Sequence, residues 1–326
     1  MTKPRIGLAL GGGVARGWAH IGVLRRLMRE GIEPDIVCGT SIGALVGGAF
    51  LAGRLDELEE WARSLSKRRL LGYLDVMAGG NSLLRGRRLE RLMEEHMGWA
   101  RIETLPKPFV TVTSDLATGH EVWIDTGPLT AGIRASYALP GIFSPLNIDG
   151  RWLVDGALVN PVPVSVCRAR GAHLVIAVSL HQDTFGKINA AHTQDLGFDD
   201  VLEQSKHWRK RKSDASPQGI VMRQLFTRGH QAPGFGTVML GALNIIMDRL
   251  SRSRMAGDPA DVLLVPRTGH IGLVEFDRAA ELIALGEEAV AAQLPLIRES
   301  MMALGCAPRP ALHPVPEEPV RSAGGS

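Results

Sequence analysis

The stretch that most constrains this chain is residues 36–49. Three apolar residues, Ile36-Val37-Cys38, run into Gly39-Thr40-Ser41-Ile42-Gly43, and a small-residue run, Ala44-Leu45-Val46-Gly47-Gly48-Ala49, follows. That order reads as a strand, a sharp turn and a helix. A G-x-S-x-G turn in such a setting holds its serine at the apex of a strained elbow with the hydroxyl exposed. Gly39 and Gly43 are expected because the two backbones approach too closely there for a Cβ. The helix expected over 44–52 aims its free N–H groups and positive dipole end back at Ser41. In a chain with 38 glycines the pentapeptide alone is equally an ordinary tight turn. The flanking strand and helix favour the elbow.

A second glycine turn precedes the first. Residues 5–10 (RIGLAL) are a continuous apolar run, as a strand buried on both faces requires, and Gly11-Gly12-Gly13 ends it. Helical spacing over 17–30 puts Trp18, Ile21, Leu24, Leu27 and Met28 on one side, and Gly31 stops it. Strand, glycine loop, helix, strand, serine elbow, helix is an α/β arrangement with a parallel sheet.

Beyond the elbow, helices are expected at 55–69, 87–97, 128–137, 163–170, 237–256 and 277–302. Strands are expected at 108–115, 120–125, 151–154, 173–180 and 261–265, the first two joined as a hairpin through Ala117-Thr118-Gly119. Residues 5–180 form the expected catalytic core. Residues 181–236 are polar and irregular and read as an insertion or lid. Residues 237–305 complete the same domain, and the proline-rich tail 306–326 reads as disordered.

The 326 residues suffice for one large α/β domain, and 45% hydrophobic with 22% charged residues is ordinary for a globular protein. A formal charge of +3 is too small an excess to argue for nucleic acid. Cys38, Cys167 and Cys306 are widely spaced and odd in number, which suits free thiols in a reducing compartment, and no metal-ligand spacing occurs. The apolar run at the N-terminus is too short for a signal peptide, and neither 42–53 nor 234–247 reaches the length of a membrane span. These features imply a cytoplasmic protein, peripheral at the inner membrane at most. Basic residues gather at Arg63, Lys67, Arg68, Arg69, Arg85, Arg87, Arg88 and Arg91, and again over 206–212. A solvated surface is the plainer reading; a rim that meets anionic head groups is the sharper one.

Acyl transfer needs a nucleophile, a base and donors for the oxyanion. Ser41 is the candidate nucleophile, and the turn Gly11-Gly12-Gly13-Val14 offers outward N–H groups on the strand expected beside it. Phosphate binding is the rival use of this loop. A dinucleotide fingerprint fails because Val14 stands where a glycine is required and Glu33 and Asp35 precede the second strand; a Walker loop fails for want of Gly-Lys-Ser/Thr. For the base, His181, His270 and His313 follow the serine, but none ends a strand convincingly. Asp155 does, before Gly156 and Ala157, and a desolvated carboxylate can accept the serine proton directly. Taken alone, Asp-Gly is an ordinary turn. His20 is a second candidate base, though a helix-side histidine is commonly structural.

Together the three pieces resemble the patatin-like phospholipase family: Gly11-Gly12-Gly13 with Arg16-Gly17, the Gly39–Gly43 elbow, and Asp155-Gly156-Ala157. Arg134–Gly141 (RASYALPG) and Trp152–Pro163 are similar to its bacterial RssA-type branch and to the catalytic domain of neuropathy target esterase. The resemblance implies a three-layer α/β/α fold with a mostly parallel central sheet. It implies a Ser41–Asp155 dyad, an oxyanion hole at Gly11, Gly12, Gly13 and Val14, and Arg16 beside that turn. It implies a lipid acyl-ester hydrolase acting on phospholipid or lysophospholipid without metal or organic cofactor. A lipid-binding regulatory protein that keeps the pocket but turns over little is the alternative. Val14 departs from the glycine or alanine that the family often has.

Overall fold

The computed structural model describes residues 4–66, 87–182 and 235–306. The sheet is built from β1 (Ile6–Leu10), β2 (Ile36–Thr40), β3 (Phe109–Asp115), β4 (Glu121–Ile124), β5 (Leu146–Ile148), β6 (Arg151–Asp155), β7 (Leu174–Val178) and β8 (Val262–Leu264). Its order is β5-β6-β3-β2-β1-β7-β8, with β4 also on β3. The pairs β3/β2, β2/β1, β1/β7 and β7/β8 are parallel; β4 and β6 run antiparallel to β3, and β5 antiparallel to β6. The helices are α1 (Ala19–Arg29), α2 (Ile42–Leu51), α3 (Leu55–Ser64), α4 (Arg87–Met97), α5 (Leu129–Ser136), α6 (Val164–Ala169), α7 (Phe235–Gly257) and α8 (Ala279–Ala303).

Three layers follow from the alternation of side chains along the strands. Leu8, Leu10, Val37, Phe109 and Ile176 face one core, with α1, α2, α3, α5 and α8. Their neighbours Ala9, Ile36, Cys38, Val110 and Val175 face the other, with α6 and Met255 of α7. Both faces are covered, so β1, β2, β3 and β7 are buried at every residue.

One feature of the register decides where the chemistry sits. Val112 pairs with Thr40 of β2 and with Trp123 of β4; Thr113 pairs with Asp155 of β6 and with Val122 of β4. A strand has two edges. β4 therefore holds one edge of β3, and β2 and β6 share the other, end to end. β2 runs parallel to β3 and β6 antiparallel, so both terminate at the same point. Ser41 follows the end of one, and Asp155 ends the other.

The expected helix at 17–30 begins instead as a 3-10 turn, Val14–Trp18, because the glycine loop enters it at a left-handed Val14. The short β5, flanked by Pro145 and the Asp149-Gly150 turn, was not among the expected strands. The insertion expected over 181–236 and the tail over 306–326 lie, apart from their ends, outside the described residues, as do Lys67–Arg69, Arg85 and the basic run 206–212. Arg63, from the same basic set, pairs with Glu59. Among the described residues no helix is long and apolar enough to cross a membrane.

Candidate active site

Ser41 caps the N-terminus of α2 with φ +58°, a left-handed conformation that side-chain-bearing residues seldom adopt. Its hydroxyl does not cap the helix; it donates to Asp155 Oδ2 at 2.7 Å, across 114 residues of sequence. The glycines make this turn possible. A Cβ on Gly43 would stand 2.2 Å from the Leu10 carbonyl oxygen, and one on Gly156 2.1 Å from that of Val112. Gly39 faces the first turn of α2, Gly12 lies against Ser41 and Ala157, and Gly17 against Ile42.

Asp155 is 2% exposed. Its Oδ1 accepts the Ala157 N–H at 2.8 Å, its N–H donates to the Ala138 carbonyl, and its own carbonyl accepts the Ser114 hydroxyl. Burial pushes the carboxyl up to about 7, and the hydrogen bonds from Ala157 and Ser41 pull it only partly back. A carboxyl in that range changes hands with a proton at neutral pH.

The glycine loop crosses beside this pair, and its N–H groups fall into two classes. Those of Gly11 and Gly12 donate to the Val178 and Pro161 carbonyls at 3.1 and 2.9 Å. Those of Gly13 and Val14 have no acceptor among the described residues, and Val14 is held at φ +52°. Of the four N–H groups expected to face an oxyanion, those of Gly11 and Gly12 therefore fasten the turn to its neighbours. Arg16 does lie beside this turn, 3% exposed, with Nε donating to the Ile271 carbonyl at 2.8 Å.

The candidate histidines lie elsewhere. His20 is fully buried and makes a 2.7 Å hydrogen bond through Nε2 to the Gly11 carbonyl; burial drives it down to about 4, so it stays neutral. His181 is buried against Asn244, and desolvation with the nearby Arg16 charge also lowers it to about 4. His270 pairs with Glu281. His313 lies outside the described residues. Among the described residues no imidazole hydrogen-bonds to Ser41 or Asp155. Nor does any group of three or more metal-ligating side chains occur among them.

Ser136 was not foreseen as a site residue. Its hydroxyl accepts the Ser41 N–H at 2.8 Å and donates to the Val112 carbonyl at 2.6 Å, tying the elbow to β3 at the point where β2 and β6 meet. The only signal was its place in the Arg134–Gly141 block. A small polar residue on the buried face of α5 carries no label of its own in sequence.

A family model described as patatin-like phospholipase matches residues 8–168. An uncharacterised NTE family protein of Mycobacterium tuberculosis is 35% identical over 324 residues, covering 87% of this chain and 90% of that protein. A patatin-like phospholipase domain-containing protein of Caenorhabditis elegans is 37% identical over 206 residues, 60% of this chain and 15% of that one. Neuropathy target esterase of Drosophila melanogaster is 36% identical over 188 residues, 55% of this chain and 13% of that one. The fold and site define an α/β/α protein with a serine elbow, and the chain belongs to the patatin-like phospholipase family. Membership supports a lipid hydrolase of esterase or phospholipase type.

Proposed function

We propose that this protein hydrolyses acyl esters of phospholipids or lysophospholipids through a Ser41–Asp155 dyad. The observation that carries the reading is the 2.7 Å bond from the serine hydroxyl to a buried carboxyl held near neutrality. Asp155 removes the Ser41 proton as Oγ attacks the ester carbonyl carbon. The negative charge that develops on the carbonyl oxygen is met by the N–H groups of Gly13 and Val14, while Gly11 and Gly12 hold the turn. Collapse expels the alcohol, which takes the proton from Asp155 and leaves an acyl-serine. Asp155 then deprotonates a water whose oxygen attacks the acyl carbon; the acyl–Oγ bond breaks, Ser41 Oγ takes the proton back from Asp155, and the fatty acid leaves. Residues 5–180 with 237–305 act as one catalytic domain in this reading, since β8 joins the sheet beside β7.

A fluorophosphonate probe tests it. Wild type should be labelled at Ser41, Ser41→Ala should not, and Asp155→Asn should label far more slowly while remaining folded. Folded wild type that resists the probe would instead favour a lipid-binding protein with little turnover.

A further inference from the structure

Helix α7 is built inside out. Its buried face carries Asn244, Met247, Asp248 and Ser251, spaced i, i+3, i+4, i+7, and Met247 alone of these is apolar. Asn244 meets His181, and Asp248 accepts from Arg252 at 3.0 Å. The opposite face is apolar and meets solvent. Val238, Met239, Ile245 and Ile246 are between 45% and 53% exposed, and Ala242 is exposed between them. Positions 238, 242, 245 and 249 fall on one line of the helix, and 239, 242, 246 and 249 on the next, so the stripe ends at Arg249. A surface helix normally turns these two faces the other way. A contiguous exposed apolar stripe marks a surface that meets a partner or a membrane.

We infer that this stripe seats the protein on an anionic lipid bilayer, with α7 lying along the head-group boundary. Charge decides the occupant. Asp248 is the one acid in residues 235–257, and it is buried; the other charges there, Arg249, Arg252 and Arg254, are all exposed. Arg252 and Arg254 are answered by Asp248 and Glu121, whereas Arg249, at the end of the stripe, makes no ion pair among the described residues. An apolar face beside an unanswered arginine matches acyl tails beneath anionic head groups. A second copy docked stripe to stripe would bring the same arginine and no acid to meet it. α7 also packs against the turn Gly156–Leu158 that follows Asp155, which puts the docking face on an element adjoining the dyad. The phospholipid reading above explains why a bilayer is met; the docking itself needs no turnover.

Co-sedimentation tests it, with vesicles of phosphatidylcholine alone and of phosphatidylcholine mixed with phosphatidylglycerol. Wild type should pellet with the mixed vesicles, and added salt should weaken the binding. Ile245→Glu together with Ile246→Glu should weaken it about tenfold or more. Arg249→Ala should weaken binding to the mixed vesicles about fivefold and leave binding to phosphatidylcholine unchanged. All three positions are exposed, so both variants should melt near the wild-type temperature. A wild type that stays in the supernatant with both vesicles overturns the inference. So do folded variants that bind within about twofold of wild type. A dimer in solution that the isoleucine pair of substitutions turns to monomer assigns the stripe to a second copy and overturns it too. Hydrolysis separates docking from the enzymatic reading. Both variants should keep the wild-type kcat/KM for soluble p-nitrophenyl acetate and lose activity on the mixed vesicles. If wild type hydrolyses neither, the hydrolase reading fails, and co-sedimentation decides the docking alone.

Discussion

Asp155 and His20 are equally shut off from solvent, at 2% and 0% exposure, and burial moves them in opposite directions. Desolvation disfavours whichever form carries charge. The carboxyl therefore rises to about 7, where it takes and returns protons, and the imidazole falls to about 4, where it stays neutral. Their partners differ accordingly. Asp155 holds a side-chain hydroxyl, and His20 holds a backbone carbonyl of the glycine loop. One burial effect thus leaves the carboxyl able to exchange a proton near neutrality and the imidazole neutral against the loop carbonyl. A protein with ten histidines puts none of the described ones on its serine.

Mutants can break this contrast, and the largest expected effect is at Ser41. Ser41→Ala should bring ester hydrolysis to background while the melting temperature stays near wild type. Asp155→Asn should cost about 10²–10⁴ in kcat, the span of a general base. It should also change the pH dependence of stability, and the sign is fixed. Folded Asp155 keeps a proton up to about 7 that the unfolded chain releases near 3.8, so its ionisation opposes folding. Asparagine does not titrate. The melting temperature of Asp155→Asn relative to wild type should therefore climb between these pH values and level off above 7, as scanning calorimetry at several pH values would show.

His20→Ala should act more weakly. Loosening the Gly11 turn should lower kcat by roughly tenfold to a hundredfold, as for misplaced oxyanion donors. His20→Gln should restore part of it, since an amide N–H can also reach the carbonyl. The acid limb of the rate profile should stay near 7 in both. His20 binds its proton below about 4 when folded and near 6.5 when unfolded, so its stabilising effect is present above 6.5 and is lost as pH falls towards 4. Acid unfolding of His20→Ala should be correspondingly less steep. The smallest effect belongs to Ser136→Ala, which strands the buried Ser41 N–H. It should cost about 1–3 kcal/mol of stability in urea titrations.

Much of the fold was legible because apolar runs and glycine stops mark parallel strands locally. The elbow, the glycine loop, the hairpin after β3 and the helix at 87–97 were all readable from neighbours within a few residues. The pairing of Ser41 with Asp155 was not readable that way. Asp155-Gly156 alone looks like a turn; its meaning comes from β2 and β6 ending at the same place on β3, a relation between segments more than a hundred residues apart. The resemblance to a known family supplied that link. The donor set shows the opposite limit. Four consecutive N–H groups look alike in sequence, and only the carbonyls of Val178 and Pro161, brought in by distant segments, separate the two that fasten the loop from the two left open. Ser136 and the two buried histidines depend on tertiary contacts in the same way.

Whether Asp155 or His20 takes the serine proton is decided by the pH dependence of kcat/KM for an uncharged ester, measured on wild type beside Asp155→Asn and His20→Gln. The rate should climb about tenfold per pH unit and level near 7. The bend should be kept by His20→Gln at a lower plateau and the rate largely lost in Asp155→Asn. A bend that disappears with His20 while Asp155→Asn stays active would contradict the dyad.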